Sequence, residues 1–174
     1  MRNVTLVGFM GTGKTTTGRL LAKKLGFDFV DVDDEVEKEQ GVSISSIFSE
    51  LGEPYFRMLE RDMIKALSKK TGLVISAGGG AVLDTRNVDT LKEAGPVICL
   101  AATPETIFKR VGNSKNRPLL QVPDPMGKIN ELLAARASFY SRADATVDTS
   151  GLTPDEVVSR LMHIIQDGGG LVNG

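Results

Sequence analysis

One stretch constrains this chain more than any other: Gly8-Phe9-Met10-Gly11-Thr12-Gly13-Lys14-Thr15. It fits G-x-x-x-x-G-K-[ST], the spacing of a phosphate-binding loop. Its flanks agree. Val4 to Val7 is an apolar run suited to a buried strand, and Thr16 to Leu25 reads as a helix stopped by Gly26. Glycines at 8, 11 and 13 let the backbone wrap closely around phosphate oxygens. The N–H groups of Gly11, Thr12 and Gly13, and of Lys14, Thr15 and Thr16 at the helix start, then point at the anion. Lys14 can reach the β- and γ-phosphates of ATP, and the Thr15 hydroxyl can ligate Mg²⁺. An ordinary glycine-rich turn with a surface lysine would not need this strand–turn–helix setting.

The rest of the chain alternates in the same way. Phe27 to Val32 reads as a second strand ending in acid, and alternation sends Asp31 and Asp33 to one side. That places both at the carboxyl end of a strand, where open α/β sheets bind ligands. The bland alternative is that Asp33 or Asp34 caps the helix Glu35 to Gln40. Ser43 caps a short helix to Leu51, and a longer helix runs from Pro54 to about Lys69. Within it Arg57 and Glu60 share a face, as an exposed ion pair or as part of a site. Leu73 to Ser76 is a third strand, and Gly78-Gly79-Gly80 follows it. Three glycines at a strand end favour ligand contact over a merely flexible turn. No Asp stands at this strand end in the usual metal-binding position, which leaves Asp31 as the carboxylate near the metal. Pro96 to Leu100 is a fourth strand, followed by the helix Glu105 to Val111.

Residues 112–125 are polar, basic and broken by proline. So long a loop in a compact chain suggests an active-site lid with Arg117 as its charged candidate, against a disordered surface loop. Met126 to Ser141 is a helix whose Arg136, Tyr140 and Arg142 form either a solvated edge or a cleft wall. Ala145 to Val147 is a short fifth strand. A last helix, Pro154 to Gln166, opens with a Thr153–Glu156 capping box. No repeat or linker divides the chain. The reading is one α/β domain over 1–166, with a parallel sheet covered on both faces and a frayed Gly-rich tail at 167–174.

Composition removes other classes. With 174 residues and a net charge of −1, nothing suggests a nucleic-acid partner. No apolar run is long enough to span a bilayer. A cleavable signal would remove the phosphate loop. The lone Cys99 lies in an apolar run and reads as a buried small hydrophobe in a reducing compartment. His163, the only histidine, reads as a helix-surface residue and rules out histidine-rich metal sites.

Six pieces stand in order: Gly8 to Thr15, Asp31-Val32-Asp33, Phe56-Arg57-x-x-Glu60, Gly78-Gly79-Gly80, Arg117-Pro118-Leu119-Leu120 and Arg136. Together they make the chain resemble the shikimate kinase family over nearly its whole length. The resemblance implies a three-layer fold like that of nucleoside monophosphate kinases, with a five-stranded parallel sheet in the order 2-3-1-4-5 and a lid. It implies transfer of the γ-phosphoryl of Mg-ATP to the 3-hydroxyl of shikimate, in aromatic amino-acid biosynthesis, by a cytoplasmic enzyme that can work as a monomer. By the same resemblance Lys14 holds phosphate, Thr15 ligates Mg²⁺ and Asp31 holds the metal through water. Asp33 binds the shikimate hydroxyls and takes the proton, while Arg57 and Arg136 clamp the carboxylate and Glu60 orients Arg57. Gly79 and Gly80 present N–H groups to the substrate. Arg117 reaches the transferring phosphate. Arg110 packs on adenine, beside an adenine loop at 148–154.

These roles agree with the chemistry. Phosphoryl transfer asks for positioning and charge neutralisation, which Mg²⁺, Lys14 and Arg117 supply. Two arginine forks favour an anionic acceptor. Asp33 beside Lys14 is expected to be ionised. A related kinase of another hydroxy acid, such as gluconate, is the nearest alternative. A guanine-nucleotide switch would carry an N-K-x-D segment, which is missing. A binding homologue without turnover would be expected to lose Lys14, Asp33 or Arg117, and all three are present.

Overall fold

The computed structural model describes residues 2–111 and 120–167. Arg117, most of the expected lid and the tail from 168 lie outside the described residues. The sheet has five strands: β1 (Val4–Val7), β2 (Asp28–Asp31), β3 (Leu73–Ser76), β4 (Val97–Ala101) and β5 (Ala145–Asp148). All pairings are parallel, in the order β2-β3-β1-β4-β5. The helices are α1 (Lys14–Leu25), α2 (Val32–Gln40), α3 (Ile44–Leu51), α4 (Glu53–Ser68), α5 (Thr85–Ala94), α6 (Pro104–Val111), α7 (Pro125–Tyr140) and α8 (Pro154–Asp167).

The three central strands are apolar runs because helices cover both faces of the sheet. Strand alternation divides them. Val7, Ile75, Val97 and Cys99 face one core with Ile64, Leu91 and Ile129. Leu6, Val74, Ile98 and Leu100 face the other with Leu21, Val158 and Leu161. Helices α2 to α4, inserted between β2 and β3, keep a small core of their own around Val36, Ile47 and Phe56. Cys99 is buried and its thiol is pushed up to about 11, chiefly by burial. His163 is exposed on α8. No helix among the described residues is long and apolar enough to cross a membrane.

The second strand differs from the alternation read in the sequence. It stops at Asp31, and α2 begins at the next residue. Asp31 is the cap, its carboxylate accepting from Asp33 N at 3.1 Å. Asp33, Asp34 and Glu35 then fill the first helical turn, where negative charge is favoured. Capping wins over strand extension, so Asp33 belongs to a helix rather than to a strand face. The other caps form as expected. Ser43 accepts from Ser46 N at 3.1 Å, and Thr153 N donates to Glu156 Oε2 at 2.7 Å.

The strand order reverses on either side of β1, because α1 leads one way and α5 the other. The chain leaves β1, β2 and β3 at the carboxyl edge beside this point, which is where ligands bind in such sheets. Helix α1 can lie close on the sheet because Gly18 has no side chain. A Cβ there would stand 2.5 Å from Phe29 Cε2. Gly18→Ala is expected to destabilise the fold by about 1–3 kcal/mol through overpacking, measured as a lower midpoint in urea unfolding.

Candidate active site

The phosphate loop is braced by its own side chains. Thr12 Oγ1 donates to Phe9 O at 2.7 Å, and Lys14 Nζ donates to Gly8 O at 2.7 Å and to Phe9 O at 3.0 Å. Gly13 caps α1 with φ 94, a left-handed conformation that favours glycine. The start of α1 carries no side-chain cap and no acid in its first turn. By contrast α2, α3, α5 and α7 each have a side chain that accepts from a first-turn N–H. The amides opening α1 are thus left for an anion.

A cleft of about 260 Å³ runs from these amides to the ends of β2 and β3. Lys14, Thr15, Thr16, Asp31, Asp33, Gly78 and Gly79 line it. The structure therefore brings Asp31 and Asp33 together with the phosphate loop, though by a helix cap and a first turn. Arg110 stands at the loop's outer side, donating to Gly11 O at 3.0 Å.

Beyond the glycine triplet stand charged side chains of α4 and α7. Arg57 Nη1 donates to Glu60 Oε2 at 2.8 Å, while Nε and Nη2 reach Glu53 Oε1 at 3.2 and 3.1 Å. Glu60 is only 1% exposed, so an exposed ion pair is not the right description. Two carboxylates hold the guanidinium from its own helix. Arg136, 9% exposed, donates to Gly79 O at 3.3 Å and stands 5.7 Å from the Phe9 ring centroid. Arg142, just past the end of α7, instead pairs with Asp89 at 2.7 Å on the surface, so the two arginines part, one toward the glycine triplet and the other to a solvated edge.

None of the three glycines at 78–80 has a positive φ. Gly78 and Gly80 owe their lack of side chain to close approach. A Cβ on Gly78 would lie 2.9 Å from Asp33 Oδ1 and 3.2 Å from Glu60 Oε1, and one on Gly80 would collide with the Arg57 guanidinium. At Gly79 a Cβ would meet only ordinary contacts of 3.5–3.6 Å.

Tyr140, read in the sequence with Arg136 as either a solvated edge or a cleft wall, turns inward: its OH donates to Gly79 O at 2.7 Å, beside the bond from Arg136. A trans peptide sets C=O and the following N–H in opposite directions, so fixing Gly79 O also fixes Gly80 N–H. The four-residue spacing from Arg136 was the available signal. Glu53 escaped notice because Pro54 marks the first turn of α4 and hides the residue before it.

Burial governs the acids. It pushes Asp33 up to about 6, with Asp31 adding to the rise and Lys14 and Arg57 opposing it. The lysine alone does not keep Asp33 a strong acid, because desolvation outweighs it. Glu60 is pushed up to about 7, again by burial first, against the pull of Arg57. Asp33 Oδ1 and Glu60 Oε1 are buried without a protein hydrogen-bond partner among the described residues.

The sign for stability follows. The folded-state value for Asp33, about 6, lies above the ordinary 3.8, so the folded state loses relative stability as pH rises between those values. Asp33→Asn is expected to stabilise the fold at pH 8 by about 1–2 kcal/mol, read as a higher thermal midpoint, while removing the cleft's free carboxylate.

Residues 10–166 match the family model described as shikimate kinase. A shikimate kinase of Thermodesulfovibrio yellowstonii is 51% identical over 162 residues, which cover 93% of this chain and 94% of that protein. Two solved structures are also similar. The shikimate kinase of Acinetobacter baumannii in complex with shikimate has a TM-score of 0.91 and 37% identity, covering 97% of this chain and 94% of that one. The shikimate kinase of Bacteroides thetaiotaomicron has a TM-score of 0.87 and 32% identity, covering 95% and 98%. The similarity runs along nearly the whole length, and by it the chain belongs to the shikimate kinase family.

Proposed function

We propose that this protein transfers the γ-phosphoryl group of Mg-ATP to the 3-hydroxyl of shikimate, giving shikimate 3-phosphate and ADP. One observation carries the reading. A phosphate loop, a partnerless carboxylate oxygen on Asp33 and the arginines Arg57 and Arg136 converge across one glycine triplet. The A. baumannii relative, described with shikimate bound, supports the choice of acceptor.

In this reading the amides of Gly11, Thr12, Gly13, Lys14, Thr15 and Thr16 bind the nucleotide phosphates, with Lys14 Nζ turning from the loop carbonyls to the phosphates. Thr15 and, through water, Asp31 would hold Mg²⁺. Their hard oxygen donors fit that ion, which keeps waters and shares substrate phosphates. When bound, the ion neutralises charge on the transferring group. Arg57 and Arg136 clamp the shikimate carboxylate, and Gly79 and Gly80 offer N–H donors. Asp33 accepts the hydrogen bond of the attacking hydroxyl and receives its proton as the new P–O bond forms. Arg110 seats the adenine. Arg117 reaches the phosphate by family pattern alone. A cytoplasmic monomer without a nucleic-acid or membrane partner completes the proposal.

The direct test is ADP release from Mg-ATP with shikimate, with gluconate and with no acceptor. A rate that depends on shikimate alone is expected. A rate with gluconate only would overturn the arginine clamp, and none with any acceptor would overturn the kinase reading. Arg136→Ala is expected to raise KM for shikimate by ten- to a hundredfold, on the order of 1.5–3 kcal/mol for a charged hydrogen bond, with KM for ATP little changed.

Glu60 gives a pH dependence. Its carboxylate faces Arg57 on its own helix, with Asp33 on α2 and Asp84 before α5 as the nearby acids, and Glu53 shares Arg57. Below about pH 7 it takes a proton, and its hold on Arg57 weakens. KM for shikimate is therefore expected to rise as pH falls from 8 to 6. In Glu60→Gln it should be high and change little from pH 8 to 7, above the range where Asp33 titrates.

A further inference from the structure

Thr149, the residue after β5 near the start of the expected adenine loop, has no individual role above, yet it is 2% exposed and lies where three segments meet. Its hydroxyl stands 3.1 Å from Thr12 O and 3.1 Å from Ala101 O. Ala101 O already accepts from the Thr149 N–H at 2.8 Å. Arg110 Nη1 donates to the same hydroxyl at 3.2 Å, which occupies an oxygen lone pair and leaves the proton to donate. Thr12 O is thus the acceptor that depends on this hydroxyl.

Arg110 completes the arrangement. Its Nη1 also donates to Gly11 O at 3.0 Å, and its Nη2 donates to Thr149 O at 3.2 Å. Two consecutive carbonyls of the phosphate loop, Gly11 and Thr12, are therefore held from outside the cleft. In a trans peptide the C=O of Thr12 and the N–H of Gly13 point in opposite directions. Fixing one fixes the other. Gly13 lines the cleft and, with φ 94, has the soft backbone of a glycine, so its peptide plane needs an outside hold.

We propose that Thr149 is a positioning residue for the polyphosphate of the nucleotide: its hydroxyl, seated against Thr12 O, sets the peptide plane that aims Gly13 N–H into the cleft. The inference rests on reading the loop as the ATP site. It gives the segment after β5 a task at the phosphate end of the nucleotide, separate from any contact with the base.

The test compares Thr149→Val and Thr149→Ser in the full chain by steady-state kinetics, with inorganic tripolyphosphate as a competitor of ATP. Thr149→Val is expected to raise KM for Mg-ATP about tenfold, the scale of one oriented hydrogen bond, and to weaken tripolyphosphate inhibition by a similar factor. KM for shikimate should stay within about twofold, and Thr149→Ser should restore both phosphate-dependent constants. Thr149→Ala provides the same comparison if the valine variant does not fold. An unchanged KM for ATP would overturn the proposal, as would a serine variant as impaired as the valine one. Equal losses toward both substrates would reduce Thr149 to a structural part. A raised KM for ATP with unaltered tripolyphosphate inhibition would move its role to the base. A wild-type protein that releases no ADP would overturn the kinase reading itself, a result separate from any of these.

Discussion

The architecture of the cleft depends on backbone without side chains at the end of β3. Gly78 and Gly80 let Asp33 from α2 and the Arg57–Glu60 pair from α4 come within van der Waals distance of the strand's continuation. Those helices already pack on one another through Val36 and Phe56, and the bare backbone lets their charged groups close on one strand end. Add a methyl group at position 80 and the Arg57 guanidinium must leave. The charge arrangement of the acceptor side therefore exists because of two absent Cβ atoms, and the sheet supplies the rigid edge that makes the approach reproducible.

Around that edge the charges oppose one another. Asp33 and Glu60 are both raised by burial and by neighbouring carboxylates, and both are moderated by Arg57. Neither acid has its full complement of hydrogen bonds within the protein. An environment like this is costly for the fold and useful for a site, because the missing partners can be supplied by a hydroxylated ligand. The same logic holds on the nucleotide side, where α1 starts without the cap that most of its sister helices carry.

Much of this was legible in the sequence, and what was not has physical reasons. The phosphate loop, the run of alternating elements and the glycine triplet carry local signals that tertiary context did not override. The geometry of Asp31 and Asp33 was misread because strand alternation and helix capping compete over the same four residues, and a cap hydrogen bond decided the matter. Arg57 and Glu60 showed their spacing but not their burial, since α4 is covered by α2, α3 and α5, whose packing the spacing does not reveal. Arg136 and Arg142 are alike in sequence and opposite in fate, one under the glycine triplet and the other on Asp89. The peptide-orienting hydroxyls of Tyr140 and Thr149 gave no compositional sign, because their partners are backbone carbonyls 61 and 137 residues away.

The small core of α2 to α4 has a consequence of another kind. Val36, Ile47 and Phe56 bury far less apolar surface than the two clusters on either face of the sheet. Asp33 and Arg57 stand beside this small core, although Val32 on α2 and Ile64 and Leu67 on α4 also reach the larger one, where Arg136 and the glycine triplet lie. A molecule bound by all of them would join the small core to the larger one, as a removable piece of the protein's own packing. Amide protons of α2 to α4 would then exchange with solvent more slowly when the acceptor is present, while those of β1 and β4 would hardly change.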